Sequence, residues 1–255
     1  MFTRRTLMKH SLAGAAGLTI LPYGARAAAH DGDVFETPAG PVTVHPVSHA
    51  SFVMETPAGT FWVDPMGELS AYEGLPRPDA ILVTHEHGDH YDPALLEEVA
   101  GDVPMIVNPA VAGMLPEGLA ANATALANGE SGTLIGVLVD AVPAYNITEG
   151  RLDFHPEGRD NGYVIGLDGF TVYVSGDTED IPEMRALEGV DLAFVSMNLP
   201  FTMDAEAAAD AVNAFAPTYV YPYHYRGRDG GTQDPQAFAE MVDEAVEVRM
   251  GPWYE

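Results

Sequence analysis

The chain has 255 residues, no cysteine and a formal charge of −27, from 38 acidic and 11 basic side chains. Such an excess of acid repels nucleic acid and anionic membrane surfaces at long range, which excludes both as partners and leaves a small molecule as the expected one. Without cysteine, disulfides and thiolate metal ligands are also excluded.

The N-terminus carries Thr3-Arg4-Arg5-Thr6-Leu7-Met8-Lys9, a twin-arginine pattern. An apolar stretch at 12–21 follows, then the small residues of Ala25-Arg26-Ala27-Ala28, suited to a signal peptidase. The stretch is too short to span a bilayer comfortably. Residues 1–28 are therefore expected to be a Tat export signal, giving a periplasmic or secreted protein with no stable membrane anchor. Removing that signal leaves seven basic residues against 38 acidic ones, a formal charge near −31. The remaining 29–255 are long enough to bury one full core, and no Ser- or Gly-rich linker divides them.

Short β-rich segments at 42–47, 51–55 and 60–63, punctuated by Pro-Ala-Gly turns, predict an antiparallel meander. His49 falls in its first hairpin, and Asp64-Pro65 ends its third strand. An apolar run at 80–83 predicts a buried strand. Thr84-His85-Glu86-His87-Gly88-Asp89-His90 comes directly after it, and Asp92-Pro93 then supplies an N-cap and a first-turn proline for a helix over 93–99. Three histidines and an aspartate thus lie within six residues, at the carboxyl end of a strand, where α/β folds place their chemistry. His85 and His87 can face one ion, with Asp89 and His90 turned to a neighbouring one. Imidazole nitrogen and carboxylate oxygen suit zinc, manganese or iron.

Downstream, 104–108 is a predicted strand, 109–115 a short helix, and 133–142 two strands about a bend. Pro143-Ala144-Tyr145-Asn146 follows, and then His155, flanked by Arg151 and Arg159. The segments 163–167 and 170–174 predict a hairpin about Asp168-Gly169, a type I′ turn signal. It runs into Ser175-Gly176-Asp177-Thr178, where a glycine lets backbone approach a carboxylate suited to bridging two cations. A strand at 190–196 leads to an Ala-rich helix up to 214, capped by Asp204 or Thr202, with Met203 as core or pocket wall. A strand over 218–223 ends at His224, and Asp234-Pro235 starts a last helix to about 246.

Thr84-His85-Glu86-His87-Gly88-Asp89-His90 resembles the HxHxDH signature of the metallo-β-lactamase fold superfamily. Ser175-Gly176-Asp177-Thr178 resembles its Gly-Asp-Thr motif, and His224 its final histidine ligand. His49 and the 197–204 stretch are similar to the ascorbate-6-phosphate-lactonase-like branch. The resemblance implies an α/β (α+β) fold, a four-layer αβ/βα sandwich holding two divalent ions, zinc first and manganese or iron as alternatives. It implies one ion on His85, His87 and His155, a second on Asp89, His90 and His224, and Asp177 as the bridge. In many relatives the third histidine directly follows the Pro-Ala segment. Asn146 occupies that slot here, so His155 is expected to arrive by a rerouted loop. Asp64 resembles the family's Asp-Pro turn and is expected to buttress the histidine loop.

The implied chemistry is attack by a dinuclear metal-held hydroxide on an ester, lactone or phosphodiester bond of a small molecule. Asp89 and Asp177 are its catalytic carboxylates. The alternatives are a phospholipase-D-like phosphodiesterase and a non-catalytic metal-binding protein of the same fold. His49, Asn146, Arg151 and Arg159 are assigned to the substrate side. The two arginines either clamp an anion or pair with neighbouring acids. The missing cysteine denies the bridging slot the thiolate of many β-lactam hydrolases.

Overall fold

A computed structural model describes residues 32–254; the export signal expected at 1–28 lies outside them. Among the described residues, one sheet holds β1 (Asp33–Phe35), β2 (Val42–Ser48), β3 (Ser51–Thr56), β4 (Gly59–Val63), β5 (Ala80–Val83), β6 (Met105–Val107) and β7 (Ala123–Ala125), in that spatial order. The first four pair antiparallel, and β5, β6 and β7 add on in parallel. A second sheet holds β8 (Ser131–Leu134), β9 (Val137–Ala144), β10 (Asp160–Leu167), β11 (Phe170–Val174), β12 (Leu192–Ser196), β13 (Tyr219–Tyr223) and β14 (Glu247–Val248). It repeats the plan: four antiparallel strands, then three parallel additions.

Tight turns suffice for the antiparallel pairs, whereas each parallel addition needs a crossover. The crossovers carry the helices: α1 (Pro93–Val99), α2 (Pro109–Ala112) and α3 (Glu117–Ala120) in the first half, α4 (Pro182–Arg185), α5 (Ala205–Phe215) and α6 (Pro235–Met241) in the second. Asp92, Asn108, Asp204 and Asp234 cap α1, α2, α5 and α6 by accepting backbone N–H bonds.

Three buried clusters define the layers. Between the sheets, Phe52 stacks on Phe194 at 4.0 Å and Phe194 on Tyr221 at 5.2 Å, with Trp253 edge-on to both phenylalanines. Burying one such ring fully is worth about 1.5–3 kcal/mol. Outside the first sheet, Trp62, Tyr72, Leu95 and Leu96 pack together. Outside the second, Tyr173, Ala208, Val212 and Phe238 do the same. The result is the expected four-layer sandwich of the metallo-β-lactamase type.

Two local expectations are corrected. Leu167 pairs with Phe170 about a two-residue loop, but of Asp168 and Gly169 only the glycine takes a positive φ (79°), so the turn is not type I′. The last helix stops at Met241 rather than near 246. The Asn213 amide donates to the Met241 carbonyl and accepts the Asp243 N–H, which ends the helix from outside. Asp243 and Glu244 would in any case be unfavourable at a helix C-terminus.

Candidate metal centre

The carboxyl ends of β5, β11 and β13 and the amino end of β10 converge on one rim, and side chains there make the centre. After β5 the chain turns at once: His90 and Tyr91 both donate backbone N–H bonds to the His87 carbonyl, at 3.0 and 2.9 Å. That tight turn puts three histidines and Asp89 on one side. After β11, Gly176 takes φ 60°, and a Cβ there would lie 2.5 Å from the Asn161 carbonyl oxygen. Only glycine lets Asp177 come so close to β10.

His85, His87 and His155 bring ligand atoms within 4.8 Å of one another, as do His85, His90 and Asp177, and His49, Asp89 and His224. Asp177 lies between the groups: Oδ1 is 3.4 Å from His90 Nε2, and Oδ2 is 3.4 Å from His155 Nε2 and 3.6 Å from His224 Nε2. His85, His90, His155, Asp177 and His224 are all buried, while Asp89 is about half-exposed. Two details differ from the implied grouping. His90 sits with His85 and Asp177, and His49 joins Asp89 and His224.

The outer contacts fix the rings. His90 Nδ1 donates to Asp64 (2.8 Å) and His155 Nδ1 to Asp160 (2.9 Å). Thr84 Oγ1 gives its proton to Asp64 (2.8 Å) and can accept from His85 Nδ1 (3.0 Å). The Asn198 amide meets His224 Nδ1 at 2.5 Å, with Thr202 Oγ1 against its other end. As placed, Asn198 Nδ2 faces His224 and the Thr202 hydroxyl donates to Asn198 Oδ1; turning the amide by 180° lets Oδ1 accept the His224 Nδ1–H and Nδ2 donate to Thr202. His85, His90 and His155, and His224 with the amide so turned, then present a bare Nε2 to the centre, the arrangement that ligating histidines require.

The unmatched atoms agree. Nε2 of His85, His90 and His224 and Oδ1 of Asp177 are buried and have no hydrogen-bond partner among the described residues. Buried acceptors without partners are costly, and converging imidazole and carboxylate acceptors are a donor set for a divalent transition metal. The residues fit such ions.

Burial disfavours charge on His85 and His87 and lowers their pKa values. Burial acts the same way on His90, but Asp177 and Asp64 outweigh it and raise its pKa well above the usual 6.5. Burial opposes ionisation of Asp177, yet His224 and His90 hold it well below the usual carboxylate range. Asp89 follows the same pattern: burial pushes up, and the imidazoles of His224 and His49 beside it pull further down. Both carboxylates stay ionised at any working pH.

The residues assigned to the substrate side are tied into the protein. Arg151 pairs with Glu179 (3.1 Å) and donates to the Thr202 carbonyl (2.7 Å). Arg159 pairs with Glu86 (2.9 Å) and Asp160 (2.6 Å) and donates to the Phe154 carbonyl (2.7 Å). The pairing alternative describes both guanidinium groups as they stand, and Arg159 Nη2 also lies 3.4 Å from His87 Nε2. Asn146 ties the rerouted loop: its backbone N–H meets the His155 carbonyl (2.8 Å), and its amide donates to the carbonyls of Arg151 (2.9 Å) and Phe201 (2.6 Å). Its Oδ1 is buried without a partner among the described residues. Asn198 and Tyr254 were given no role at the site by the sequence, and nothing local distinguishes either; Asp160, five residues after His155, is close enough in sequence to be read as a support for its loop.

A family model described as a beta-lactamase superfamily domain matches residues 43–224. A UPF0173 metal-dependent hydrolase of Thermococcus kodakarensis is 32% identical over 174 residues, covering 67% of this chain and 77% of that protein. A crystal structure from Parabacteroides distasonis, named a metal-dependent hydrolase, is 38% identical with a TM-score of 0.77, over 86% of this chain and 97% of the other. The metallo-β-lactamase fold protein YhfI of Bacillus subtilis shares the fold at 16% identity and a TM-score of 0.64, over 80% and 88% of the two chains. With its histidine rim and these relatives together, the chain belongs to the beta-lactamase superfamily domain family and is a metal-dependent hydrolase of the metallo-β-lactamase fold.

Proposed function

We propose that this hydrolase holds two divalent ions, zinc foremost, and cleaves an ester, lactone or phosphodiester bond of a small molecule. The observation that carries the proposal is the set of buried, unpartnered Nε2 atoms around Asp177. His85, His87 and His155 would hold one ion, Asp89, His90 and His224 the other, and Asp177 both. Ions so bound lower the pKa of water toward neutrality and polarise the oxygen under attack. The protein's own share is positional. Asp64, Asp160, Thr84 and Asn198 set the ring tautomers, and Asp177 keeps its charge for the cations.

Asp89 is half-exposed beside the buried histidines, and a substrate would meet the centre on that side. We also propose that the chain is exported by the twin-arginine route, on the strength of Arg4-Arg5 and the apolar stretch behind them.

The test is elemental analysis together with turnover of p-nitrophenyl acetate, a simple lactone and bis-p-nitrophenyl phosphate. Wild-type protein should carry two ions and turn over at least one of the three. Asp177→Ala should lose at least one ion and at least 100-fold in rate. Full metal content in that variant would refute the shared carboxylate. Two bound ions with no turnover of any probe would favour a non-catalytic metal protein.

A further inference from the structure

Three histidines of the rim turn Nδ1 to an acceptor, Asp64, Asp160 or the Thr84 hydroxyl, and His224 turns its Nδ1 to the Asn198 amide, whose oxygen accepts once the amide is rotated. His49 departs from this pattern. Its Nδ1 lies 2.8 Å from Tyr254 Oη, and its Nε2 lies 3.2 Å from Asp89 Oδ2. Tyr254 Oη already accepts the backbone N–H of Arg226 at 3.2 Å. Its own proton then goes to His49 Nδ1, the acceptor within reach. A neutral imidazole with an accepting Nδ1 carries its proton on Nε2, and that proton faces Asp89.

The surroundings hold this arrangement in place. The Arg226 guanidinium lies over the Tyr254 ring at 4.2 Å, and Nη2 donates to the Tyr254 carbonyl at 3.4 Å. His49 donates its backbone N–H to Trp253 (3.1 Å) and accepts that of His224 on its carbonyl (3.2 Å). Both histidines sit in the left-handed region, at φ 55° and 50°, which non-glycine residues rarely adopt without such support. Their rings are in contact, with centroids 3.8 Å apart.

We propose that His49 is a positioning residue and not a ligand, a hydrogen-bond donor that aims Asp89 at its ion, with Tyr254 fixing its tautomer. The grouping of His49, Asp89 and His224 is then a hydrogen-bonded arm of the second site, not a place for a further ion. The inference rests on the reading of Asp89 as a ligand. It makes the segment Trp253-Tyr254, about thirty residues beyond His224 in sequence, part of the metal centre.

Long-range proton–nitrogen correlation on zinc-loaded, histidine-labelled protein reads the tautomers directly. His85, His90, His155 and His224 should carry the proton on Nδ1, and His49 on Nε2. A His49 protonated on Nδ1, with a metal-shifted Nε2, overturns the proposal. Tyr254→Phe keeps the ring under Arg226 and removes only the hydroxyl. It should weaken one zinc ion by about 10–100-fold in chelator competition, without moving the melting temperature of the metal-free protein by more than a few degrees. His49→Gln, which keeps a donor, should retain more affinity than His49→Ala. Tyr254→Phe with wild-type affinity and an unchanged His49 tautomer also overturns the proposal. Wild-type protein that takes up fewer than two zinc ions refutes the two-ion reading instead, while the His49 tautomer still decides this one.

Discussion

The buried carboxylate of Asp64 accepts the His90 Nδ1–H at 2.8 Å, while Thr84 gives it both its backbone N–H, at 2.7 Å, and its hydroxyl, at 2.8 Å. One side chain at the end of β4 thus fixes the first and last residues of the loop that follows β5. Asp64 itself sits at φ 43°, held there by its N–H bond to the Leu82 carbonyl at 2.9 Å. Asp64→Ala leaves three donors without an acceptor. It should weaken the ion on His90 by about 10–100-fold and cost the metal-free protein about 1–3 kcal/mol or more. Chelator competition and urea unfolding measure the two effects. Unchanged metal affinity would show that His90 orients without Asp64.

His155→Ala should remove one ion while leaving the fold intact. The ring is buried and its loop is held independently by the backbone bond from Asn146. Loss of a direct ligand should exceed the 10–100-fold typical of an outer partner, and circular dichroism should stay unchanged. Two ions bound at wild-type affinity would make His155 a buried histidine paired with Asp160 and nothing more.

Metal uptake should weaken as the pH falls. In the metal-free protein burial works against a charged His90, but Asp177 and Asp64 outweigh it and favour its charged form, with a proton on the Nε2 that an ion would need. Loading must expel that proton, so proton competition grows as the pH drops through the raised His90 pKa and below. His85 and His87, lowered by burial, are already neutral and add no competition until lower pH. Calorimetric titration with zinc at pH 7 in buffers of different ionisation enthalpy should show about one proton released. Identical heats in every buffer would contradict a protonated His90.

Export should depend on the arginine pair itself. Replacing Arg4 and Arg5 together with lysine preserves charge, and should leave the protein in the cytoplasm with the signal uncleaved. Cell fractionation reads this, and undiminished delivery to the periplasm would refute the twin-arginine route.

The fold was legible in the sequence because its strands are strongly marked. The apolar run Ala80–Val83 and the helix Pro93–Val99 have the bounds that the sequence suggested. Short elements were not legible. The three-residue β7 and the four-residue α3 and α4 are held by tertiary packing, too short to show a period of their own. At the site, residues clustered in sequence, from His85 to His90, announced themselves. Of the partners that orient them, Asp64 was legible through its Asp-Pro turn and Asp160 lies near His155 in sequence. Asn198 and Tyr254 act across 26 and 205 residues, on atoms whose roles depend on tautomer, and no spacing rule encodes that. Arg151 and Arg159 drew attention as rare cations in an acidic chain, yet that same acidity supplied the carboxylates that pair with them.

The two halves of the molecule share a strand plan, and the rim lies along the line where they meet. His85, His87 and His90 come from the first half, and His155, Asp177 and His224 from the second. Around them, the Asn161 N–H bonds to the Thr84 carbonyl at 3.1 Å, and the Tyr163 hydroxyl to the Val83 carbonyl at 2.8 Å. An ion held by residues of both halves would be a clasp as well as a reagent. Stripping it would leave the aromatic layer between the sheets to keep the halves together while this edge breathes. The Asn161 amide, on that edge, should then exchange its proton with solvent sooner than amides deep in β12, so that catalytic readiness and the closing of the molecule become one event.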